Sequence, residues 1–342
     1  MDRSPSRSRT AVRWIAGLFL AGTVVVFPSM RSPADEPALE ESPSPGTYRL
    51  VLEDQNRERT ALVRVPRGYR AGEHPPLLIV LHGAGGSGEH VLRNDGWERT
   101  ADEAGYLLVA PDGLPARMNA EPNLLTNPRL WNSGQLRAGS PRTRVDDVAY
   151  IRHLLTDLES KIAFDRQHVF VAGHSNGAGM SFQLASEMAN EITGIAVVAG
   201  EVVDRPHPAR PVPTLAIFGT ADEVRPLAGG ESELPWGSRT TEPVEAELAR
   251  WAEAINCETD PVEISHENST RVVHYPSKNN GAELKVMYLE GHGHAWPGAQ
   301  RGRLLARLLG PVNAKIDAND EIVKFFQSLP ELPNPPQPTR RR

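Results

Sequence analysis

Gly173-His174-Ser175-Asn176-Gly177 joins an apolar, β-branched run, Val169–Ala172, to a segment with Met180, Leu184 and Met188 at helical spacing. A serine at a sharp turn between a buried strand and a helix has its hydroxyl pushed clear of the backbone. It can then act as a nucleophile. The flanking glycines let strand and helix approach without Cβ clashes. Gly-x-Ser-x-Gly alone arises by chance in a chain with 29 glycines, so the reading rests on the strand before it and the helix after it.

Three other strand-like runs end in residues with matching chemistry. After Ile79-Val80-Leu81 stands His82-Gly83-Ala84-Gly85-Gly86, a loop whose backbone N–H groups can be aimed at a developing oxyanion. Ala84 would supply one donor and Asn176, the residue after the nucleophile, the other. The same loop also fits Gly-x-Gly-x-x-Gly, the dinucleotide cradle. For that reading, only Asp112 could serve as the acidic residue on a second strand. After Leu215–Phe218 comes Asp222, able to orient an imidazole or simply to close a turn. After Val286–Leu289 comes Glu290-Gly-His-Gly-His294-Ala-Trp-Pro, a loop that can carry a general base. The alternating His292 and His294 also suggest a metal, with His82 as the one obvious further ligand. A second pair at metal spacing is missing, and the expectation is no metal and no cofactor.

The elements that must position these residues read as an α/β domain. Pro75–Leu81, Tyr106–Ala110, Gly194–Ala199, Thr214–Phe218 and Leu284–Leu289 are continuous apolar runs, the pattern of strands buried on both faces. Val145–Phe164 places Val148, Ile151, Leu154, Leu155, Leu158 and Ile162 on one helical face. Trp97–Ala104, Pro243–Ile255 and Ala318–Phe326 also read as helices. Thr47–Leu52 and Thr60–Val65 alternate as a hairpin, and Val262–Ser265 and Arg271–Tyr275 read as minor strands. Alternating strands and helices give a mostly parallel sheet flanked by helices on both faces, with its sites at the carboxyl ends of the strands. Residues 113–144 form a long irregular stretch, the kind of loop that carries function. Trp131 lies within it and Trp296 sits two residues past His294. Both are candidate substrate-binding aromatics.

Arg3, Arg7, Arg9 and Arg13 precede the apolar run Trp14–Phe27, which is shorter than the roughly 20 residues a membrane-spanning helix needs. Residues 1–34 therefore read as a secretory signal, with an uncleaved anchor as the alternative. Cleavage gives a secreted or periplasmic protein without stable membrane insertion. Residues 35–46 read as a disordered linker, 47–329 as the catalytic domain and 330–342 as a disordered tail. Residues 1–34 hold five arginines and one aspartate, so without them the chain has 32 basic and 42 acidic residues, a formal charge of −10. That balance argues against a nucleic-acid partner. Cys257 is the single cysteine, which excludes an internal disulfide and suggests a buried structural thiol.

Ser175, Asp222 and His294 follow one another in the chain order of α/β-hydrolase triads, each after an expected strand. The sequence resembles the secreted poly(3-hydroxybutyrate) depolymerase-like esterases, a group that includes feruloyl and acetylxylan esterases. The resemblance rests on Leu81-His-Gly-Ala-Gly-Gly86, Val145-Asp-Asp-Val148, Gly173–Met180, Gly219-Thr-Ala-Asp222 and Gly291–Gly298, and it covers roughly residues 46–328. It implies an α/β-hydrolase fold and a serine esterase with His294 as base and Asp222 as acid. The partner would be a small or polymeric ester: feruloyl or acetyl polysaccharide esters, or hydroxyalkanoate oligomers. Phe218 departs from the family's usual histidine, and Val224-Arg225-Pro226 interrupts its usual Val-Pro pair. A prolyl-oligopeptidase-like serine peptidase and a non-catalytic binding protein on the same scaffold are the alternatives.

Overall fold

The computed structural model describes residues 32–332 apart from 119, 124–125, 135, 137–138, 235–236, 300–308 and 314. Nearly all of the expected signal, and the expected tail from 333 onward, lie outside the described residues.

A ten-stranded sheet runs in the order β1-β2-β4-β3-β7-β8-β9-β14-β13-β12. Its strands are β1 (Gly46–Asp54), β2 (Arg57–Val65), β3 (Pro76–Leu81), β4 (Leu107–Pro111), β7 (Asp165–His174), β8 (Gly194–Val198), β9 (Thr214–Gly219), β12 (Val262–Glu267), β13 (Thr270–Tyr275) and β14 (Leu284–Leu289). Two short ribbons stand apart, β5 (Leu114–Pro115) with β6 (Arg129–Leu130), and β10 (Gly230–Leu234) with β11 (Gly237–Thr241). The six central strands, β4 through β14, pair in parallel, and antiparallel pairs close both edges.

Strand residues alternate between two cores, as the period of two requires. Leu77, Ile79, Leu81, Val169 and Val171 face α2 (Asp147–Lys161), α3 (Asn176–Glu187) and α4 (Val244–Ala254). Leu78, Val80, Phe170 and Ala172 face α1 (Trp97–Ala104) and the helix Ala318–Ser328. Helices therefore cover both faces, which makes this an α/β-hydrolase sheet. The apolar stripe of α2 is buried as its spacing requires, and the Asp146 side chain caps the helix by accepting from Ala149 N–H at 2.9 Å. Gln55 and Asn56, both at positive φ, make the two-residue turn of the β1–β2 hairpin. Cys257 is buried and donates to Ala282 O, and burial pushes its thiol up to about 11.

Residues 35–46 do not behave as the disordered linker that composition suggests. Leu39 is buried and exchanges backbone bonds with Arg49 through its own N–H and Pro37 O, while Glu36 pairs with Arg93 at 2.6 Å. One apolar anchor and one ion pair dock a stretch whose average composition is polar. Likewise Leu332, inside the expected tail, is buried and donates to Gln167 O.

Candidate active site

Parallel pairing brings the carboxyl ends of β3, β7, β9 and β14 together, and the chemistry of the chain meets there. Ser175 follows the last residue of β7 with φ 52° and ψ −117°, a conformation that costs a non-glycine residue energy. The glycines around it are sterically required. A Cβ at Gly173 would lie 2.3 Å from Gly177 O, and one at Gly177 would lie 2.4 Å from Leu81 O. Ser175 N–H donates to Val198 O on β8, and Ser175 O accepts from Gly179 N–H to begin α3.

Ser175 O–H donates to His294 Nε2 at 2.8 Å, and His294 Nδ1–H donates to Asp222 Oδ2 at 2.7 Å. A carboxylate can only accept, so the bond to Asp222 fixes the tautomer that leaves Nε2 free to take a proton. Asp222 Oδ1 accepts from the N–H groups of Val224 and Arg225, each at 2.8 Å. Burial alone would raise the Asp222 pKa. The facing His294, the bond from its ring and the two backbone N–H groups outweigh burial and hold the carboxyl below its ordinary value. Asp222 and His294 are both buried, whereas Ser175 is half-buried.

Other contacts hold the His294 loop. His174 Nε2–H donates to His294 O at 2.8 Å, and the two rings lie 5.2 Å apart. His292, the alternate histidine, points away from Ser175. Its Nε2–H donates to Ala295 O and its Nδ1 accepts from Asn313 N–H. Ala221 N–H donates to His292 O, so the loops that carry Asp222 and His294 are bonded to each other. Among the described residues no cluster of three or more His, Cys, Asp or Glu side chains is arranged to hold a metal ion.

The loop after β3 lies against Ser175: a Cβ at Gly83 would come within 3.4 Å of Ser175 Cβ. His82 shapes this loop. It is buried, its Nδ1–H donates to Gly83 O at 2.7 Å, and its Nε2 accepts from Gly113 N–H at 2.9 Å. Burial lowers its pKa and keeps the ring neutral, against the attraction of Asp112. Gly85 and Gly86 N–H groups donate to Arg129 O and Gly83 O, whereas no described residue accepts from Ala84 N–H. Asn176 is the first residue of α3, so its N–H lies outside the helical ladder.

Asn176 also has a role that sequence reasoning missed. Its side chain accepts from Trp131 N–H at 2.7 Å and donates to Trp131 O at 3.1 Å. Behind that loop, Asp147 is fully buried between two guanidinium groups, Arg59 at 2.9 Å and Arg142 at 2.7 Å, and accepts from Asn132 N–H. Arg59 also stacks on Tyr150. Asp147 belongs to a motif visible in the sequence; Arg142 is close by in the chain, but Arg59 lies 88 positions away.

The two tryptophans are not the binding surfaces expected of them. Trp131 is 0 % exposed and donates its indole N–H to His82 O; Trp296 is 1 % exposed and donates to Asn319 Oδ1. With both N–H groups satisfied internally and no ring face open, each supports a loop instead of contacting a ligand. A cavity of about 860 Å³ opens beside the β3 loop, lined among others by Ser87, Asp112, Gly113 and Arg129. None of Ser175, Asp222 and His294 lines it, so the hydrogen-bonded chain locates the site and the cavity does not.

Comparison with known proteins identifies the family and the fold. The family model described as "Putative esterase" matches residues 53–291. The protein named "Putative esterase NocK" of Nocardia uniformis is 30% identical over 74% of each chain. Feruloyl esterase B of Piromyces equi is 28% identical over 69% of this chain but only 42% of its own length. Among solved structures, an acetyl xylan esterase from Aspergillus awamori superposes with a TM-score of 0.52 at 13% identity, covering 82% of this chain and 98% of that one. An S-formylglutathione hydrolase from Agrobacterium tumefaciens also has a TM-score of 0.52, at 17% identity, covering 83% and 95%. At such identities the structural likeness concerns the fold.

Proposed function

The chain belongs to the esterase family, a family of carboxylic-ester hydrolases on the α/β-hydrolase fold, and from this premise we propose an exported serine esterase working through Ser175, His294 and Asp222. The observation that carries the reading is the unbroken chain of bonds from Ser175 Oγ through the His294 ring to Asp222. His294 takes the Ser175 proton as Oγ attacks the ester carbonyl. Asp222 stabilises the imidazolium so formed. The N–H groups of Ala84 and Asn176 hold the oxyanion, each such donor being worth about 3 kcal/mol in systems of this kind. The imidazolium then protonates the leaving alcohol and an acyl-enzyme remains. Water enters by the same route and releases the acid. No cofactor takes part in this cycle.

The catalytic domain is taken as residues 47–329 and residues 1–34 as a signal removed on export. Among the described residues no helix is long and apolar enough to cross a membrane. Feruloyl or acetyl esters on polysaccharide rank ahead of hydroxybutyrate oligomers as substrates. Relatives named as feruloyl esterases and a bifunctional acetylxylan esterase/xylanase support that order. The test is a panel of p-nitrophenyl acetate, methyl ferulate, acetylated xylan, hydroxybutyrate oligomers and a proline-containing peptide amide. Turnover of the ferulate or the xylan ahead of the oligomers is expected. Turnover of the oligomers alone overturns the ranking, and turnover of the amide alone overturns ester hydrolysis.

A further inference from the structure

Arg225, between Val224 and Pro226 on the loop that carries Asp222, is 1 % exposed. A guanidinium is retained in such a place only with partners around it. Its backbone N–H donates to Asp222 Oδ1 at 2.8 Å. Its side chain reaches three other segments. Nη2 lies 2.9 Å from Glu247 Oε1 on α4. Nη1 donates to Glu242 O at 3.0 Å and to Thr241 Oγ1 at 3.3 Å, at the base of the β10–β11 ribbon. Nε lies 3.8 Å from Glu201, beyond the end of β8. Glu247 in turn accepts from Val202 N–H at 3.0 Å, and Glu201 pairs with Arg239 of β11. The strand next to the nucleophile, the α4 helix and the ribbon therefore all converge on the residue whose amide holds Asp222.

We infer that Arg225 is a positioning residue for Asp222. Its guanidinium fastens the acid loop to α4 and to the end of β8, so that the Val224 and Arg225 amides keep the carboxylate aimed at His294. The inference rests on the triad reading above. The loop has backbone ties at both ends, Ala221 N–H to His292 O on one side and Val244 N–H to Leu227 O on the other, and between them the Arg225 side chain bonds Glu242 O and Thr241 Oγ1.

The test separates positioning from mere burial of a charge. Arg225→Met leaves Glu247 buried without its counter-ion, whereas Arg225→Met with Glu247→Met removes both charges and restores an apolar fit. Positioning predicts that kcat falls about 10- to 100-fold in both variants, the loss that a misplacement of about an ångström produces. KM for p-nitrophenyl acetate should change less than about twofold, since uniform binding is untouched. The acid limb of the kcat/KM profile should move to lower pH, because an imidazolium with a loosened counter-charge gives up its proton more readily. Recovery of wild-type kcat in the double variant overturns the inference, as does a lower kcat with an unmoved acid limb. If the double variant does not fold, Glu247→Gln decides. It keeps the bond to Val202 N–H and removes the counter-charge, and it must show the same acid-limb displacement. Fluorophosphonate labelling of wild-type Ser175 keeps the two readings apart: its absence sinks the triad, whereas the outcomes on Arg225 and Glu247 sink only the positioning role.

Discussion

On one side of Ser175, the loop around Trp131 is held by Asp147 between Arg59 and Arg142. On the other, the loop around Asp222 is held by Arg225 among Glu247, Glu201 and, through Glu201, Arg239. Both are ion clusters that join segments distant in sequence, and their charge balance differs. On the first side two cations share one carboxylate; on the second Arg225 and Arg239 face Glu247 and Glu201. The first steadies backbone on either side of Trp131: Asp147 accepts from Asn132 N–H and Arg142 donates to Leu130 O, while the polar groups of Trp131 itself are held separately by Asn176. Nothing in it has to gain or lose a proton. The second steadies a carboxylate whose work, on the proposed mechanism, is to answer a proton arriving on His294. A fold can therefore use the same device to hold a donor frame on one flank and a titrating pair on the other. Damage to the two flanks should then look different.

The base flank should show the largest catalytic loss. His294→Ala is expected to lower kcat/KM for p-nitrophenyl acetate by about 10⁴-fold or more. His292→Ala leaves Ala295 O and Asn313 N–H without their partner, so it should cost about 1–3 kcal/mol of stability with far less effect on turnover. The opposite ranking would move the base to His292 and dissolve the contrast.

The donor flank should fail in folding before it fails in chemistry. Asp147→Ala strands two buried guanidinium groups, for which a loss of about 3–5 kcal/mol is expected, read as a lower urea midpoint at unchanged slope. An unmoved midpoint would mean that this flank is held by something else.

The smallest effect concerns pH. Burial lowers the His82 pKa in the folded chain, so the unfolded chain binds the extra proton first. Stability should therefore fall as pH drops from about 6.5 toward the lowered folded value. His82→Gln can still accept from Gly113 N–H and does not titrate, and it should flatten that slope. Asp222 also has a lowered pKa, against the effect of its burial, because its partners favour the carboxylate. Its contribution is present above about 3.9 and is lost as pH falls through its lower folded value, a window below that of His82. If the wild type keeps constant stability between about pH 6.5 and 5, the neutral His82 latch is not part of this frame.

Much of this was legible in the sequence because it is local. Buried parallel strands are continuous apolar runs, so β3, β4, β8, β9 and β14 fell within a residue or two of their expected limits. The turn at Ser175 announces itself through glycines that no other residue could replace, and Ser175, Asp222 and His294 each follow such a strand. What was not legible depends on partners far along the chain. Nothing local marks Arg59, Arg142, Arg225 or Glu247 as a charge that folding will bury opposite its counter-ion. Trp131 and Trp296 show the same limit: an aromatic in a loop beside a site can face a ligand or brace the loop, and only the acceptors His82 O and Asn319 Oδ1 decide for bracing. Residues 35–46 failed for a third reason. Average composition misses one leucine in the right register.

The central claim is that Ser175 is the nucleophile of an ester hydrolase, and the most direct test is covalent. The chain should be incubated with a fluorophosphonate and the tryptic peptide that contains Ser175 examined by mass spectrometry, alongside Ser175→Ala. The account predicts one adduct on Ser175, loss of ester hydrolysis in step with labelling, and neither labelling nor appreciable turnover in the alanine variant. An adduct on another serine, or an alanine variant that hydrolyses p-nitrophenyl acetate at the wild-type rate, would contradict it.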